Sequence, residues 1–132
     1  MKKYLILLAI LLLSLTLICS CSNTANDVWD TANYTESTSV GEGSTTFTVK
    51  VEAGEKSIIL TVSTDEANLG AALYSLGIIN DPSFFNTVNG MVADWDKDNA
   101  YWALYIGEEY AMTGADEIIP TTGAEYRLVY TK

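Results

Sequence analysis

The chain has 132 residues, 17 of them acidic and 7 basic, and its formal net charge of −10 argues against nucleic acid as a partner, because carboxylates and phosphates repel each other. Histidine is absent, so Ser-His-Asp and Cys-His catalytic sites are excluded, and the usual nitrogen ligand of zinc, iron or cobalt is missing. We therefore predict no catalytic residues and no protein-held metal, since the remaining carboxylate pairs are typical of solubilising surface charge.

Residues 1–20 are predicted to be a lipoprotein signal peptide. Lys2 and Lys3 form a positive start, and Tyr4–Ile18 is an uncharged apolar run that is short for a membrane-spanning helix. Removal of both lysines leaves five basic residues against 17 acidic ones, which gives the mature chain a formal charge of −12. Such a surface should not lie flat on anionic lipid, because like charges repel.

The run Ile18-Cys19-Ser20-Cys21 resembles the bacterial lipoprotein box. Cys21 is predicted to carry the lipid because a small residue precedes it, whereas bulky Ile18 precedes Cys19. An ordinary secreted protein, or a disulfide between the two cysteines, is the alternative. Lipidation of Cys21 would hold the protein on the extracytoplasmic face of the bacterial cell membrane, and two or more acyl chains would make that anchor stable.

Residues 21–43 are predicted to be a lipid-anchored flexible linker, because Ser, Thr, Asn, Asp and Glu dominate this stretch. A free chain of roughly 22 residues spans about 25–30 Å on average and at most about 75 Å. The domain would therefore stay near the membrane, which favours a membrane-proximal protein partner. Trp29 and Tyr34 interrupt the pattern and either dock on the domain or have no role; we interpret them as having none.

Residues 44–132 are predicted to form the folded domain, and its first element is a β-hairpin. Apolar and polar residues alternate through 45–52 and again through 58–63, which is typical of strands with one buried and one wet face. Ala53–Lys56 contains glycine and charged residues and is the predicted turn between them.

One helix is predicted after the hairpin. Thr64 or Asp65 can cap its start and Gly77 can end it. Its apolar residues at helical spacing are Leu69, Ala72, Leu73 and Leu76. Further along, Asn89-Gly90 is a dipeptide favoured by tight hairpin turns. This order of a hairpin, one helix and further strands predicts an α+β fold, a small β-grasp-like sheet with the helix across it.

The acidic stretch Asp94–Asn99 carries carboxylates at alternate positions, Asp94, Asp96 and Asp98, as a calcium loop does at its start. That motif needs a glycine at its sixth position and a glutamate at its twelfth, where this chain has Asn99 and Tyr105. A solvated turn is therefore the preferred interpretation, and a looser calcium site stays open.

Tyr101–Ile106 is a short apolar, aromatic-rich run that predicts a strand. Alternation puts Tyr101, Ala103 and Tyr105 on one face. Trp102, Leu104 and Ile106 then fall on the other face. Neither set is polar enough for plain solvent surface, so either the domain covers both faces or one face is left for a ligand.

The stretch Asp94–Gly114, together with the end of the chain, resembles the C-terminal domain of the transcobalamin and intrinsic factor family, in its small bacterial form found on lipoproteins. In that family a Tyr-Trp pair opens a strand, a hairpin follows, a glycine comes after a short apolar segment, and a Gly-acidic turn leads into the last strand. The matching positions here are Tyr101-Trp102, Gly107-Glu108-Glu109, Gly114 and Gly123-Ala124-Glu125. The match extends over Val62–Lys132 in element order, although Ala124 stands where an acidic residue is commoner.

The resemblance implies a domain that closes over one face of cobalamin or another corrinoid, with no cofactor required otherwise. The residues at the matching strand and loop, with Trp95 beside them, are Trp95, Tyr101, Trp102, Tyr110, Met112 and Thr113. Such a site needs no metal ligand from the protein, which agrees with the absence of histidine. In the vitamin carriers a large helical domain supplies the other half of the site, and this chain has no room for one.

A non-catalytic protein-protein interaction or structural module on the cell surface is the alternative function, because exposed aromatic patches mark either kind of site. The ligand hypothesis requires a hollow beside the aromatic rings. Rings wholly enclosed by the domain would contradict it.

Overall fold

The computed structural model describes residues 27–132, so the predicted signal peptide and Cys21 lie outside the described residues. Six strands form one mixed sheet, and two short strands form a separate hairpin. In chain order the strands are β1 (Thr38–Val40), β2 (Thr45–Ala53), β3 (Lys56–Thr64), β4 (Thr87–Val88), β5 (Met91–Val92), β6 (Tyr101–Ile106), β7 (Glu109–Tyr110) and β8 (Glu125–Thr131). The order in the large sheet is β1-β3-β2-β8-β6-β7.

The predicted hairpin is confirmed as β2 and β3, which pair antiparallel along their whole length. Every second residue of β2 from Phe47 to Ala53 is buried, and Ile58, Leu60 and Val62 of β3 face the same core. A period of two in the sequence thus decides which face of the sheet is buried. The turn contains Gly54 at a positive φ of 62°.

The last strand, β8, lies in the large sheet between the hairpin β2-β3 and the hairpin β6-β7. It is parallel to β2 and antiparallel to β6. The helix α1 (Leu69–Ser75) buries Leu69, Ala72 and Leu73 in the core. The predicted α+β fold is therefore confirmed. Across residues 27–132, no helix has the length and apolar character needed to cross a membrane.

The predicted cap of α1 is wrong. The side chain of Asn68, and not that of Thr64 or Asp65, accepts a hydrogen bond of 2.7 Å from the backbone N–H of Ala71. Thr64 instead belongs to β3, whose ladder extends further than the alternation of apolar residues indicates. Gly77 follows the helix with a φ of 70°, as a helix-ending glycine does.

The predicted linker does not hold for residues 27–43, which pack on the domain. Trp29 is 8% exposed, and its indole N–H donates to the carbonyl of Ala53 at 2.9 Å. Further along, β1 adds to the edge of the sheet as a parallel neighbour of β3. We call Asp27–Val40 the N-terminal strap. Polar residues fold here because backbone pairing with β3 satisfies their peptide groups and one tryptophan reaches the core.

The hairpin β4-β5 fastens the strap. Its turn is Asn89-Gly90, as predicted, with φ angles of 53° and 79°. The side chain of Asn89 is fully buried, accepts from the N–H of Tyr34 at 2.9 Å and donates to the carbonyl of Tyr34 at 2.8 Å. A Cβ on Gly90 would lie 2.3 Å from the carbonyl oxygen of Thr31, so only glycine fits beneath the strap.

An ion network crosses the face of the sheet opposite the core. Glu52 accepts from Arg127 at 2.8 Å and contacts Lys50 at 3.2 Å. Arg127 also lies 5.0 Å from the ring centre of Tyr105. Burial raises the pKa of the Glu52 carboxyl, but the hydrogen bonds from Arg127 and Lys50 outweigh it and hold the pKa below its ordinary value.

Because its pKa is lower in the folded chain, ionised Glu52 stabilises the fold above about pH 4.3. That contribution should disappear as the pH falls through the lowered pKa. We expect Glu52→Gln to reduce the free energy of unfolding at pH 7 and to reduce it less at pH 3, as measured by urea denaturation. Glu109→Gln, at an exposed position of β7, is the control. A Glu52→Gln penalty of the same size at both pH values would contradict the argument.

Candidate functional site

Strand β6 divides its aromatic residues between the two faces of the sheet, as alternation predicts. Trp102 points into the core, is 6% exposed and donates its indole N–H to the carbonyl of Met91 at 3.1 Å. Its ring packs edge-on against Tyr130 at a centroid distance of 5.4 Å. Tyr101 lies on the opposite face and is 41% exposed. The two neighbouring rings therefore cannot contact the same ligand on one face.

A cleft opens beside the buried ring of Trp102, between the loop that follows α1 and the loop that follows β7. We call it the loop cleft, and its volume is about 230 Å³. Its lining residues are Ser83, Phe84, Phe85, Trp102, Leu104, Tyr110, Ala111, Thr113, Gly114 and Ala115. A second depression of about 290 Å³ continues it outward, shares Phe84 and Thr113 with it, and adds Met112. The rings are thus enclosed only in part.

Hydrogen bonds hold the first loop of the cleft in place. The Asp81 carboxylate accepts from the backbone N–H groups of Phe84 (2.9 Å) and Ser83 (2.8 Å), and these bonds lower its pKa. The Ser83 hydroxyl donates to Asp116 at 2.7 Å, which links this loop to the far side of the cleft. Helix α1 approaches from behind, and a Cβ on Gly70 would lie 2.2 Å from the carbonyl oxygen of Pro82. The cleft is therefore largely preformed.

The rim of the loop cleft is apolar and exposed. Phe84 is 91% exposed and Met112 is 89% exposed, whereas Trp102 and Leu104 behind them are nearly buried. Large apolar side chains left this open typically mark a binding surface when they border a concave site. Thr113 and the backbone of the loops supply the polar groups nearby. The arrangement can hold a flat or apolar surface by contact, with few hydrogen bonds to orient it.

The six predicted ligand residues do not form one site. Trp102, Tyr110 and Thr113 line the loop cleft, and Met112 lines the depression beside it. Tyr110 reaches the cleft from the edge strand β7, but its ring does not lie beside the Trp102 ring. Tyr110 pairs directly with Tyr105, and their rings meet at 5.6 Å, so the Tyr110 ring lies on the sheet face opposite Trp102.

Trp95 and Tyr101 are not at the loop cleft; they contact each other edge-on at 6.2 Å near the start of β6. Phe84 and Phe85 also line the loop cleft, and the sequence did not predict them as site residues. Their signal was two adjacent aromatic residues one position after the Asn80-Asp81-Pro82 turn, where a loop tip exposes at least one of them.

The acidic stretch forms a single helical turn, α2 (Trp95–Asp98). The Asp94 carboxylate caps it by accepting from the N–H of Lys97 at 3.0 Å. Asp96 and Asp98 are two residues apart on the turn and so do not face each other. Within residues 27–132, no group of three or more carboxylate or cysteine side chains is arranged to hold a metal ion.

A larger and shallower cavity of about 750 Å³ lies at the end of the sheet where β8 finishes. Its lining residues are Asp27, Val28, Thr31, Gly54, Val92, Asp98, Tyr130 and Lys132. Burial raises the pKa of the Tyr130 hydroxyl, and the charges of Asp98 and Asp94 raise it further. This cavity joins the strap, the turn between β2 and β3, and the end of the chain.

No family model matches the sequence, and no curated protein matches it. Solved structures do. A proposed metal-binding protein from Ruminococcus gnavus ATCC 29149 aligns with 26% sequence identity and a TM-score of 0.62, over 67% of this chain and 98% of that one. Haptocorrin in complex with Cbi aligns with 15% identity and a TM-score of 0.52, over 67% of this chain and 25% of that one. The chain thus shares its fold with part of haptocorrin and spans a quarter of the length of that protein.

Proposed function

We propose that this protein is a membrane-anchored, extracytoplasmic lipoprotein that binds a small molecule at the loop cleft, with cobalamin or another corrinoid as the candidate ligand. The observation that carries the proposal is the pair of almost fully exposed side chains, Phe84 and Met112, on opposite loops of a preformed cleft. The haptocorrin-like fold supports a corrinoid as the ligand class. The lipoprotein box at Cys21 supports the anchor.

The size of the cleft defines the mode of binding. Drug-sized ligands generally fill pockets of about 300–1,000 Å³, which is more than the loop cleft encloses. A corrin ring would therefore lie across the rim, with Phe84 and Met112 against its face or edge, and would keep its other side free. We propose no catalytic role for the site. The chain has no histidine to act as a general base, and the proposed binding by apolar contact forms no covalent bond.

Removal of either rim side chain should weaken ligand binding. Burial of a phenylalanine or methionine side chain is worth roughly 1.5–3 kcal/mol, so Phe84→Ala and Met112→Ala should each raise the Kd for cobalamin by about tenfold or more. Isothermal titration calorimetry of a chain that begins at Ser22 measures this without interference from the absorption of the corrinoid. Both side chains are exposed, so the free energy of unfolding should change little.

Ile59→Ala is the matched control for these two variants, because Ile59 is an exposed apolar residue on β3, three strands away from β6. It should leave the Kd unchanged. Saturable binding that is equally strong in all three variants would move the ligand site away from the loop cleft. No heat of binding up to near-millimolar cobalamin would remove the corrinoid from the proposal.

A protein-protein interaction module is the second candidate function, and one observation favours it. Ile119, which follows the turn Ala115–Glu117 beside the cleft, is 78% exposed in addition to Phe84 and Met112. Such projecting side chains suit a partner surface that the small cleft cannot enclose. A photo-crosslinking residue in place of Phe84 would separate the two functions in cells. A crosslinked protein band that Met112→Ala abolishes would require a protein partner at this rim.

A further inference from the structure

The chain enters the domain at a fixed point on one end of the sheet. Strands β2 and β8 finish at this end, and β3 and β6 begin there. Asp27 is held at this end by a bond of 2.8 Å to Lys56, and Trp29 follows it into the core. We call this end, with its turn Gly54–Lys56 and the helical turn α2, the entry end. It holds the shallow cavity of about 750 Å³.

The distance from the proposed anchor to the entry end is short. Asp27 follows Cys21 by six residues, and six residues reach at most about 22 Å in any conformation. The sequence alone predicted a linker reach of up to about 75 Å, because the whole strap was interpreted as part of the linker. If Cys21 carries the lipid, as proposed above, the entry end must lie within this distance of the membrane surface.

The entry end also carries exposed apolar side chains suited to a lipid surface. Trp95 is 62% exposed and Val92 is 54% exposed, and Tyr101 beside Trp95 is 41% exposed. Tryptophan and tyrosine favour the membrane interface, because an apolar ring can enter the headgroup layer while its polar atom stays hydrated.

The charges of the domain favour the same orientation. Three of the five basic residues after the signal peptide lie at the entry end, namely Lys56, Lys97 and Lys132. Only six of the 17 acidic residues lie there, namely Asp27, Asp30, Glu55, Asp94, Asp96 and Asp98. The remaining eleven acidic residues lie elsewhere in the chain. Repulsion between the domain and phosphate groups is therefore smallest when this end faces the bilayer.

From the reach of the chain, the exposed rings and the charge distribution, we infer that the entry end docks on the lipid bilayer, with Trp95 and Val92 in the headgroup layer. Each contact alone is weak. A tether of six residues raises the local concentration of the surface to the millimolar range or above, so that weak contacts suffice. The rim residues Phe84 and Met112 belong to loops at the β6-β7 edge and do not line the docked cavity.

A chain that begins at Cys21 tests this inference, because Cys21 is then its only cysteine and can be coupled to a maleimide lipid in phosphatidylcholine vesicles. Of the three tryptophans, Trp29 and Trp102 are buried and Trp95 is exposed, so acrylamide and brominated acyl chains report on Trp95. We expect the tethered protein to lose emission with brominated lipids and to resist acrylamide. Trp95→Phe should show no loss with brominated lipids.

Two further forms of the protein keep the result unambiguous. Insertion of a Gly-Ser segment of about 30 residues after Asn26 should reduce the bromolipid quenching, because a longer tether lowers the local concentration. The untethered chain from Ser22 should show none. Unquenched emission and unchanged acrylamide access in the tethered protein would overturn the docking. Mass spectrometry of the protein from bacterial membranes reports separately on lipidation of Cys21, so failure of the anchor and failure of the docking are distinguishable.

Discussion

Replacement of Trp102 by alanine is expected to lower the free energy of unfolding by about 3–5 kcal/mol, which is the usual cost of emptying the site of a buried aromatic side chain. The ring is 6% exposed and packs against Tyr130. Its indole N–H also satisfies the carbonyl of Met91, which the variant would leave buried without this partner. Urea denaturation followed by circular dichroism measures the change.

Trp95→Ala is the matched control, because it removes the same side chain from a position that is 62% exposed. It should change the free energy of unfolding by less than about 1 kcal/mol. Equal losses in the two variants would contradict the assignment of Trp102 to the core. So would a Trp102→Ala protein with native stability.

The buried position of Trp102 makes this residue unsuitable for testing the binding site. The family resemblance placed Trp102 among the residues that contact a ligand, and the structure places its ring at the back of the loop cleft, inside the core. A loss of binding in Trp102→Ala would therefore be inseparable from a loss of folding. Phe84 and Met112 are the informative positions, because their side chains contribute little to the core and lie at the rim.

The sequence predicts those parts of the fold that depend on local pattern. The alternation in β2 and β3 specifies the buried face, since a shift of one residue would expose Phe47, Val49 and Val51. Asn89-Gly90 specifies a tight turn, since both residues adopt positive φ. The strand Tyr101–Ile106 has the predicted bounds. In each case neighbouring residues alone carry the information.

The parts that could not be predicted depend on distant residues. The N-terminal strap has few aliphatic residues, and it folds because β3 offers a free edge and because Trp29 finds the carbonyl of Ala53, 24 residues away. The sequence of the strap shows neither partner. The parallel pairing of β2 with β8 likewise joins residues more than 70 positions apart.

The candidate site was predicted only in part, for a similar reason. Alternation within β6 already separates Tyr101 from Trp102, but the family resemblance grouped them on one ligand surface. The face that Tyr110 occupies depends on the register between β6 and β7, and that register becomes visible only in the structure. Phe84 reaches the cleft because the Asp81 carboxylate fixes its loop, which composition does not reveal.

Asn89→Ala is expected to be the most damaging polar substitution among the described residues, at about 3–5 kcal/mol. The amide of Asn89 is fully buried and satisfies both the N–H and the carbonyl of Tyr34. These two backbone groups are part-buried, so the loss of its partner costs each of them roughly 1–1.5 kcal/mol, the lower part of the range for buried groups. Alanine must also adopt the left-handed φ of 53°, which adds about 1–2 kcal/mol relative to a right-handed conformation.

Asn99→Ala separates these two contributions, because Asn99 has nearly the same φ, 51°, but is exposed. It should cost only about 1–2 kcal/mol, the share that belongs to the backbone. Amide hydrogen exchange identifies the rest, since in Asn89→Ala the N–H groups of Asn33 and Tyr34 should exchange faster than those of β2 and β3. Equal costs in the two variants, with Tyr34 still protected, would mean that the strap is held by Trp29 and β1 rather than by the Asn89 amide.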